Sequence, residues 1–491
     1  MTSSLTSDAA DASVMSEDGR PLAAPKEDRV PVEAKAAYAL GGTTDIFGHW
    51  LYNQLANPVF NVFLGLTPTQ VSTGLGVSRL IDAFTDPFFG WLSDNTRSRW
   101  GRRRPYILIG SIIAGIGLPC LFMASPSWSH DQIFWFMIIS ACLYAPLISA
   151  YNMPYQSLGA ELTPDYNERT SVLSWRAVVQ KISGMGLGAA LWFATRSWWN
   201  DPATGQPNVA RGAVYACAIA GVLMMISGIA NFVFVKERYY EKAQNQARIS
   251  WKQMVTSTLS CRPYLVLLGT ALVYAIPTAL IGSLGFYVGT YYVFHGDMAA
   301  SSEYGFWGGV AYALCGVAGV PFAAGFAKRL GKPKALTITL CVGLVAFGSS
   351  WWLYTPDHPW LSVVQNGLNG FSATGLWVVL PSMCVDVVDY DELQSKQRRE
   401  GAYSSMFSWV LKFGMSASMF IVGPLLDEVS GFDAKLGGNQ SPEALFTMRL
   451  MFTGIPVVAL LIALVLIQLY PLTRERMHQI RAELEARRGT V

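Results

Sequence analysis

The stretch RLIDAFTDPFFGWLSDNTRSRWGRRRPYILIG, Arg79 to Gly110, decides how the chain is to be read. It begins as an apolar run broken by Arg79, Asp82 and Asp86. It then passes through a short segment holding Arg97, Arg99, Arg102, Arg103 and Arg104, and turns apolar again at Pro105. Two apolar runs joined by a short basic connection are the pattern of two membrane spans linked on the cytoplasmic side. Composition extends that reading to the whole chain. Of 491 residues, 52% are hydrophobic and only 14% charged, against about 25% charged in soluble domains. Dividing the length into three soluble domains is therefore excluded, and with it nearly every soluble enzyme. The net charge of +3 marks topology and calls for no nucleic-acid or other acidic partner.

Outward from Arg79, a window of about 19 residues predicts twelve spans. They lie near 38–65, 69–93, 105–125, 132–158, 172–195, 212–235, 263–291, 303–327, 335–354, 360–388, 402–426 and 446–471. Of the 36 Lys and Arg residues, about 28 fall in the even-numbered connections and the two tails. Only Arg196, Arg211 and Lys435 fall in the odd-numbered ones. Both termini are thus expected in the cytoplasm of a multi-pass protein of the cell membrane, the inner membrane if the source is bacterial.

The longest connection divides the spans six and six. The expected units are a disordered tail over 1–35, a six-helix bundle over 36–235, a middle loop over 236–262, a second bundle over 263–472 and a basic tail over 473–491. The middle loop reads as a helix lying along the cytoplasmic face, and no secretory signal is expected at the start. Gly90, Trp91, Gly101, Arg102 and Pro105 are faintly echoed by Gly325, Phe326, Gly331, Lys332 and Pro333. Two six-span repeats around a midplane site are the architecture of many secondary transporters. The seven cysteines lack metal-ligand spacing and read as small buried hydrophobes.

A charged side chain inside a span costs a few kcal/mol or more, so each needs a partner, a watery cavity or a function. Asp82 and Asp86 stand at i and i+4 on one face of span 2, with Thr85 beside them. Two carboxylates and hydroxyls, including Ser149 of span 4, form an oxygen site for a small cation such as Na⁺. Held close, the same two carboxylates can instead carry a proton. Pairing with Arg79 and the basic loop alone is the competing reading. Asp45 of span 1 has His49 one turn later, either a relay or a packing residue. Ser149, Asn152 and Gln156 of span 4 suit hydroxyl-rich ligands or helix packing. Arg176 and Lys181 lie in span 5 and Lys412 in span 11. Trp377 of span 10 offers an indole face for a sugar ring. Asp386 and Asp389 read as an ionic gate near the cytoplasmic end. No metal site is expected beyond a Na⁺ at Asp82 and Asp86.

The stretch Arg79 to Gly110, together with CVDVVDYDE from Cys384, resembles the signature of the glycoside-pentoside-hexuronide:cation symporters of the major facilitator superfamily. The resemblance extends from about Tyr38 to the last span. It implies an all-α fold of two six-helix bundles. It also implies a coupling cation at Asp82 and Asp86, with Thr85 in place of an Asn, and substrate contacts at Asp45, Arg176, Trp377 and Lys412. Span 4 departs from the pattern: Asn152 replaces an acid and Gln156 a tryptophan, which opens the choice of substrate.

The expected function is import of a glycoside or oligosaccharide by alternating access, coupled to H⁺ or Na⁺, with His49 tilting the choice toward H⁺. A non-sugar solute such as a lysolipid is the alternative. Arg79, Asp386 and Asp389 are expected to gate the halves. The expected partners are the small-molecule substrate and the lipid bilayer, with the chain working as a monomer. A membrane enzyme acting on lipid-linked sugars would need a catalytic cluster, and the sequence carries no HExxH or GxSxG.

Overall fold

A computed structural model describes residues 29–163, 165–202, 205, 207–237, 258–396 and 399–488. The amphipathic helix expected in the middle loop, and most of the expected N-terminal tail, lie outside the described residues.

Twelve long helices follow one another: α1 (Val32–Ala56), α2 (Pro68–Asn95), α3 (Arg104–Cys120), α4 (His130–Glu161), α5 (Tyr166–Ala194), α6 (Val209–Phe234), α7 (Arg262–Tyr287), α8 (Met298–Leu330), α9 (Lys332–Gly348), α10 (Leu361–Ser395), α11 (Glu400–Pro424) and α12 (Pro442–Gln468). A thirteenth, α13 (Arg474–Arg488), ends the described chain. Helix starts are written in the connections. Thr67 with Gln70, and Ser129 with Gln132, close full capping boxes on α2 and α4. Asp165, Asp297 and Ser441 cap α5, α8 and α12.

Nine of the described helices are long and apolar enough to cross a membrane by length and composition. The three short of that mark are α1, α2 and α3. The first two carry Asp45, Arg79, Asp82 and Asp86, and α3 has 17 residues. The twelve expected spans therefore correspond to twelve described helices, two of the three that fall short of the mark doing so because they carry charge. Large apolar side chains on α3, α6 and α12, among them Ile113, Ile226 and Val465, are exposed, as a surface solvated by lipid requires.

Buried apolar side chains form one core from Val30 to Val235, drawn from α1 to α6 and joined by Met419 of α11. Two further cores are drawn from α7 to α13. The halves meet where α2 packs on α11 and α5 on α8. Within the first half, α3 and α6 approach at a glycine pair: a Cβ on Gly221 would lie 2.1 Å from the Gly115 carbonyl oxygen. Small residues at a membrane helix contact let two backbones approach closely.

The echo between the halves is visible in three dimensions. Gly101 and Gly331 both take positive φ, 103° and 88°, at the turn into a helix whose second residue is proline. Arg102 and Arg103 bind Glu161 at the end of α4, at 2.5 and 2.7 Å. Lys332 binds Asp386 near the end of α10 at 2.7 Å.

Two expectations change. The basic C-terminal tail is largely the helix α13, because Met477, Ile480 and Leu484 repeat at helical spacing and bury against the second half. Of the seven cysteines only Cys217 and Cys261 are buried, while Cys120 and Cys341 are exposed; an apolar face solvated by lipid keeps such residues without enclosing them.

If the Gly115–Gly221 contact sets the α3–α6 spacing, Gly221→Val should destabilise the protein by ~1–3 kcal/mol, the usual cost of overpacking. Thermal unfolding of the purified protein, with Gly184→Val as the control, would show it; nothing lies within 4 Å of a Cβ at Gly184.

Candidate functional site

Both ends of the described chain lie on one face, called here the terminal face; the opposite face is the far face. About midway between them the first half gathers its charged residues. Asp45 of α1 accepts from Arg176 at 2.9 Å and from Gln180 at 2.7 Å, both from α5 and one turn apart. His49, one turn along α1, donates from Nδ1 to the Asp45 carbonyl at 3.0 Å. The Arg176 guanidinium also stands 5.0 Å from the Tyr155 ring centroid, and Tyr38, Tyr155 and Tyr151 stack in a row behind it. A carboxylate at this depth is tolerable because its charge is matched by a guanidinium and its second donor is a neutral amide.

On α2, Arg79 reaches Asp82 at 3.4 Å, donates to the His49 carbonyl at 3.0 Å, and lies 4.9 Å from the Trp50 ring. Asp82 and Asp86 are 5% and 4% exposed, yet Oδ1 of each has no hydrogen-bond partner. Asp86 is ion-paired with Lys412 of α11, a contact between the halves. Thr85 and Ser149 share a hydrogen bond of 2.8 Å. The donor set beside Asp82 and Asp86 is thus all oxygen with unsatisfied carboxylate atoms, which is the chemistry that takes a hard cation or a proton. Among the described residues no group of His, Cys, Asp and Glu has the make-up of a transition-metal site.

Asn152 is buried and accepts from Gln156 at 3.1 Å, so the two amides of α4 form one unit. Trp377 is 43% exposed on α10, and among the described residues no hydrogen bond or ring contact ties it to the cluster. The residues of the expected gate have these partners among the described residues. Asp386 binds Lys332 and Arg481, at 2.7 and 3.0 Å, and Asp389 faces Arg481 at 3.8 Å. These pairs lie within the second half, because α13 folds back and brings Arg481 to α10. Arg79 likewise pairs within the first half. Lys412, expected at the substrate and at the contact between the halves, meets Asp86 across the interface.

The hydrogen bonds and ion pairs found between described residues of the two halves lie between the far face and the level of Lys412 and Lys181. Nearest the far face, Asn57 and Asn61 of the π-helical turn after α1 accept from Tyr287 at 3.3 and 2.9 Å. Thr69 donates to Asp427 at 2.7 Å, Ser416 to the Gly76 carbonyl at 2.9 Å, and Thr195 bonds Ser302 at 2.8 Å. Deepest are Lys412 on Asp86, and Lys181 on Thr374 of α10 at 3.2 Å. Gly90 and Gly401, nearer the terminal face on the same helix pair, have nothing within 4 Å of an added Cβ. Gln180, Thr374 and Tyr312 were not singled out from the sequence. For Gln180 the signal was present, an amide one turn beyond Arg176 in an apolar span.

Two six-helix bundles that meet at a buried polar midplane, with the hydrogen bonds and ion pairs between their described residues on one side of it, have the architecture of a major facilitator transporter, and the family to which the chain belongs is one of transporters and not of enzymes. The chain belongs to the family of MFS/sugar transport proteins, whose model matches residues 36–474. It is 25% identical to the glucuronide carrier protein homolog of Escherichia coli K12, over 92% of this chain and 95% of that one. Likewise it is 24% identical to the sodium-dependent lysophosphatidylcholine symporter 1 of Gallus gallus, over 93% and 90%. In fold it resembles a bacterial homolog of the human lysosomal transporter Spinster, in an inward-facing and occupied conformation. That match has a TM-score of 0.64 and 14% identity, and it covers 90% of this chain and 97% of the other.

The Asp45–Arg176 pair gives a direct test of the geometry. Arg176→Gln should cost ~3–5 kcal/mol by leaving a buried carboxylate unmatched, and adding Asp45→Asn should recover most of that loss. Thermal unfolding of the two single variants and the double variant measures the coupling; additive losses would mean the two side chains do not interact.

Proposed function

We propose that the protein is a cation-coupled symporter that imports a glycoside or oligosaccharide by alternating access. One observation carries the coupling: Asp82 and Asp86 are buried with unsatisfied oxygens, and one of them holds Lys412 from the other half. A cation arriving at the pair, Na⁺ or H⁺, competes with the Lys412 ammonium for Asp86. Binding therefore weakens a contact that ties α2 to α11, and the tie between cation occupancy and the position of the halves is built into one carboxylate. By linkage, whatever the cation does to solute affinity, the solute does to cation affinity.

The substrate reading rests on Asp45, Arg176, Gln180, Asn152 and Gln156, which offer a carboxylate, a guanidinium and amides to hydroxyl groups. Trp377 and Lys412 join them as the halves close. Residues 36–235 and 263–472 are the two rocking units, with 236–262 linking them. The basic connections support a cytoplasmic position for both chain ends, and on that reading the contacts on the far face fit an inward-facing state. Arg79 holds α2 to α1, while Asp386 and Asp389 brace α10 against Lys332 and α13. The site is the cell membrane, the inner one in a bacterium, and one chain holds the whole path. The similarity to a lysophosphatidylcholine symporter keeps a lysolipid as the second reading.

Concentrative uptake into vesicles under a Na⁺ gradient or a pH gradient, imposed separately, identifies the coupling ion. Asp86→Asn should abolish gradient-driven accumulation while leaving exchange of labelled solute across the membrane measurable. Full accumulation by that variant would overturn the coupling assignment.

A further inference from the structure

The starts of α3 and α9 echo one another, and they differ in charge. Just beyond α6, Glu237 lays its carboxylate on the backbone N–H groups of Arg102, Arg103 and Arg104, at 3.0, 2.8 and 3.1 Å. A helix start attracts an anion in this way because its first N–H groups have no partner inside the helix. Just beyond α12, the chain reaches the start of α9 in the same manner but brings a base. A Cβ added to Gly101 would lie 2.7 Å from the Glu237 carboxylate, and one added to Gly331 would lie 3.3 Å from Cβ of Arg474. No described side chain caps α9, and the acid that serves the first half has no described counterpart in the second.

What stands there is an open cleft of about 200 Å³ on the terminal face, between α13 and the turn from α8 into α9. Lys328, Lys332, Arg474 and Arg481 line it, beside His478 and a single acid, Asp386. That acid is already shared, by Lys332 at 2.7 Å and by Arg481 at 3.0 Å. Lys328 and Arg474 form no ion pair with a described carboxylate; Arg474 donates to the Arg329 carbonyl at 3.2 Å. Two more acids are close. Asp389 faces Arg481 at 3.8 Å, and the exposed Glu475 acts on both Arg474 and Lys334, but neither acid lines the cleft. Counting Lys and Arg alone, four bases against one acid leave the lining with an excess of three positive charges. The volume is below the ~300–1,000 Å³ of sites that enclose a whole small molecule, so the cleft has room for one anionic group. Guanidinium and ammonium groups together are the donors that hold phosphate oxygens.

We propose that this cleft binds one phosphate group, and that its occupancy holds α13 against the second half. The group is the phosphodiester of a lipid head group or a free phosphate, which present the same oxygens to the same bases. Basic pockets between spans at the membrane surface take phosphate head groups. All the lining residues belong to the second half, so the site is independent of which solute passes between the halves. At present α13 is attached by the buried Met477, Ile480 and Leu484 and by Arg481 on Asp386. A phosphate that draws together Arg474 of α13 and Lys328 of α8 adds a tie at the first turn of α13. Asp386 lies on α10, so the tie also steadies a helix that reaches the first half through Thr374. Lys328, Arg474 and Arg481 are exposed, so added salt weakens the attraction.

The test uses the full-length protein, purified in a neutral detergent and, separately, in nanodiscs of phosphatidylcholine with and without phosphatidylglycerol. Amide hydrogen exchange across α13 and thermal unfolding are followed as inorganic phosphate or phosphatidylglycerol is titrated at constant ionic strength, with chloride as the reference anion. At least one of the two probes should slow exchange in α13 saturably and raise the unfolding temperature. An effect of phosphatidylglycerol alone makes a lipid head group the source; an effect of phosphate alone makes it a free anion; an effect of both supports the shared chemistry. Lys328→Gln and Arg474→Gln should each weaken the apparent affinity about tenfold, the loss of one charge-assisted contact. Arg476→Gln removes the same charge from an exposed position of α13 outside the cleft and should change it by less than about twofold. Lys328→Arg and Arg474→Lys should keep most of the binding, which separates charge from folding. Equal weakening by the three Gln variants would mean a diffuse basic surface and overturn the site. Exchange in α13 that neither probe slows would overturn it as well, and both results would leave the symporter reading standing.

Discussion

The rest of the molecule depends on the cost of a charge in a low-dielectric core. Asp45, Asp82 and Asp86 can sit in membrane helices only because Arg176, Arg79 and Lys412 are brought to them. Each pairing fixes a helix against a neighbour: α1 against α5, α2 against α1 through the His49 carbonyl, and α2 against α11. The polar midplane is therefore also the joint of the structure.

The joint is asymmetric along the membrane normal. Toward the far face, small residues and hydrogen bonds tie the halves together, neutral ones such as Tyr287 against Asn57 and Asn61 and Ser416 against the Gly76 carbonyl beside Thr69 on the Asp427 carboxylate. Neutral bonds of this sort are worth about 1 kcal/mol each, so several can be released together without leaving a charge stranded. Toward the terminal face, ionic contacts lie inside each half: Arg102 and Arg103 on Glu161, and Lys332 and Arg481 on Asp386. These stiffen the bundles as units. Stiff bundles with weak, exchangeable contacts between them are what a rocking mechanism needs.

Much of the fold was legible because its signals are local. Apolar length, the lopsided placement of Lys and Arg, and turn residues such as Gly101 and Gly331 need no knowledge of distant neighbours. Within the site, Asp82 and Asp86 could be grouped because both lie on one helix, four residues apart. The pairing of Asp45 with Gln180, 135 residues away, had no such signature. Nor did that of Lys412 with Asp86. A partner of Asp386 and Asp389 was hidden for the same reason: Arg481 sits on α13, and only the docking of that helix through Met477, Ile480 and Leu484 brings the charge to α10.

The sequence by itself determined that this is a multi-pass helical membrane protein, where its helices begin, and which ionisable residues lie at membrane depth, since hydropathy and capping act over a few residues. Only the tertiary structure decided which of the described charges neutralises which, and on which face the described residues of the halves meet. Electrostatic pairing depends on distances of a few ångströms between residues far apart in the chain, and those distances exist only once the two bundles have packed.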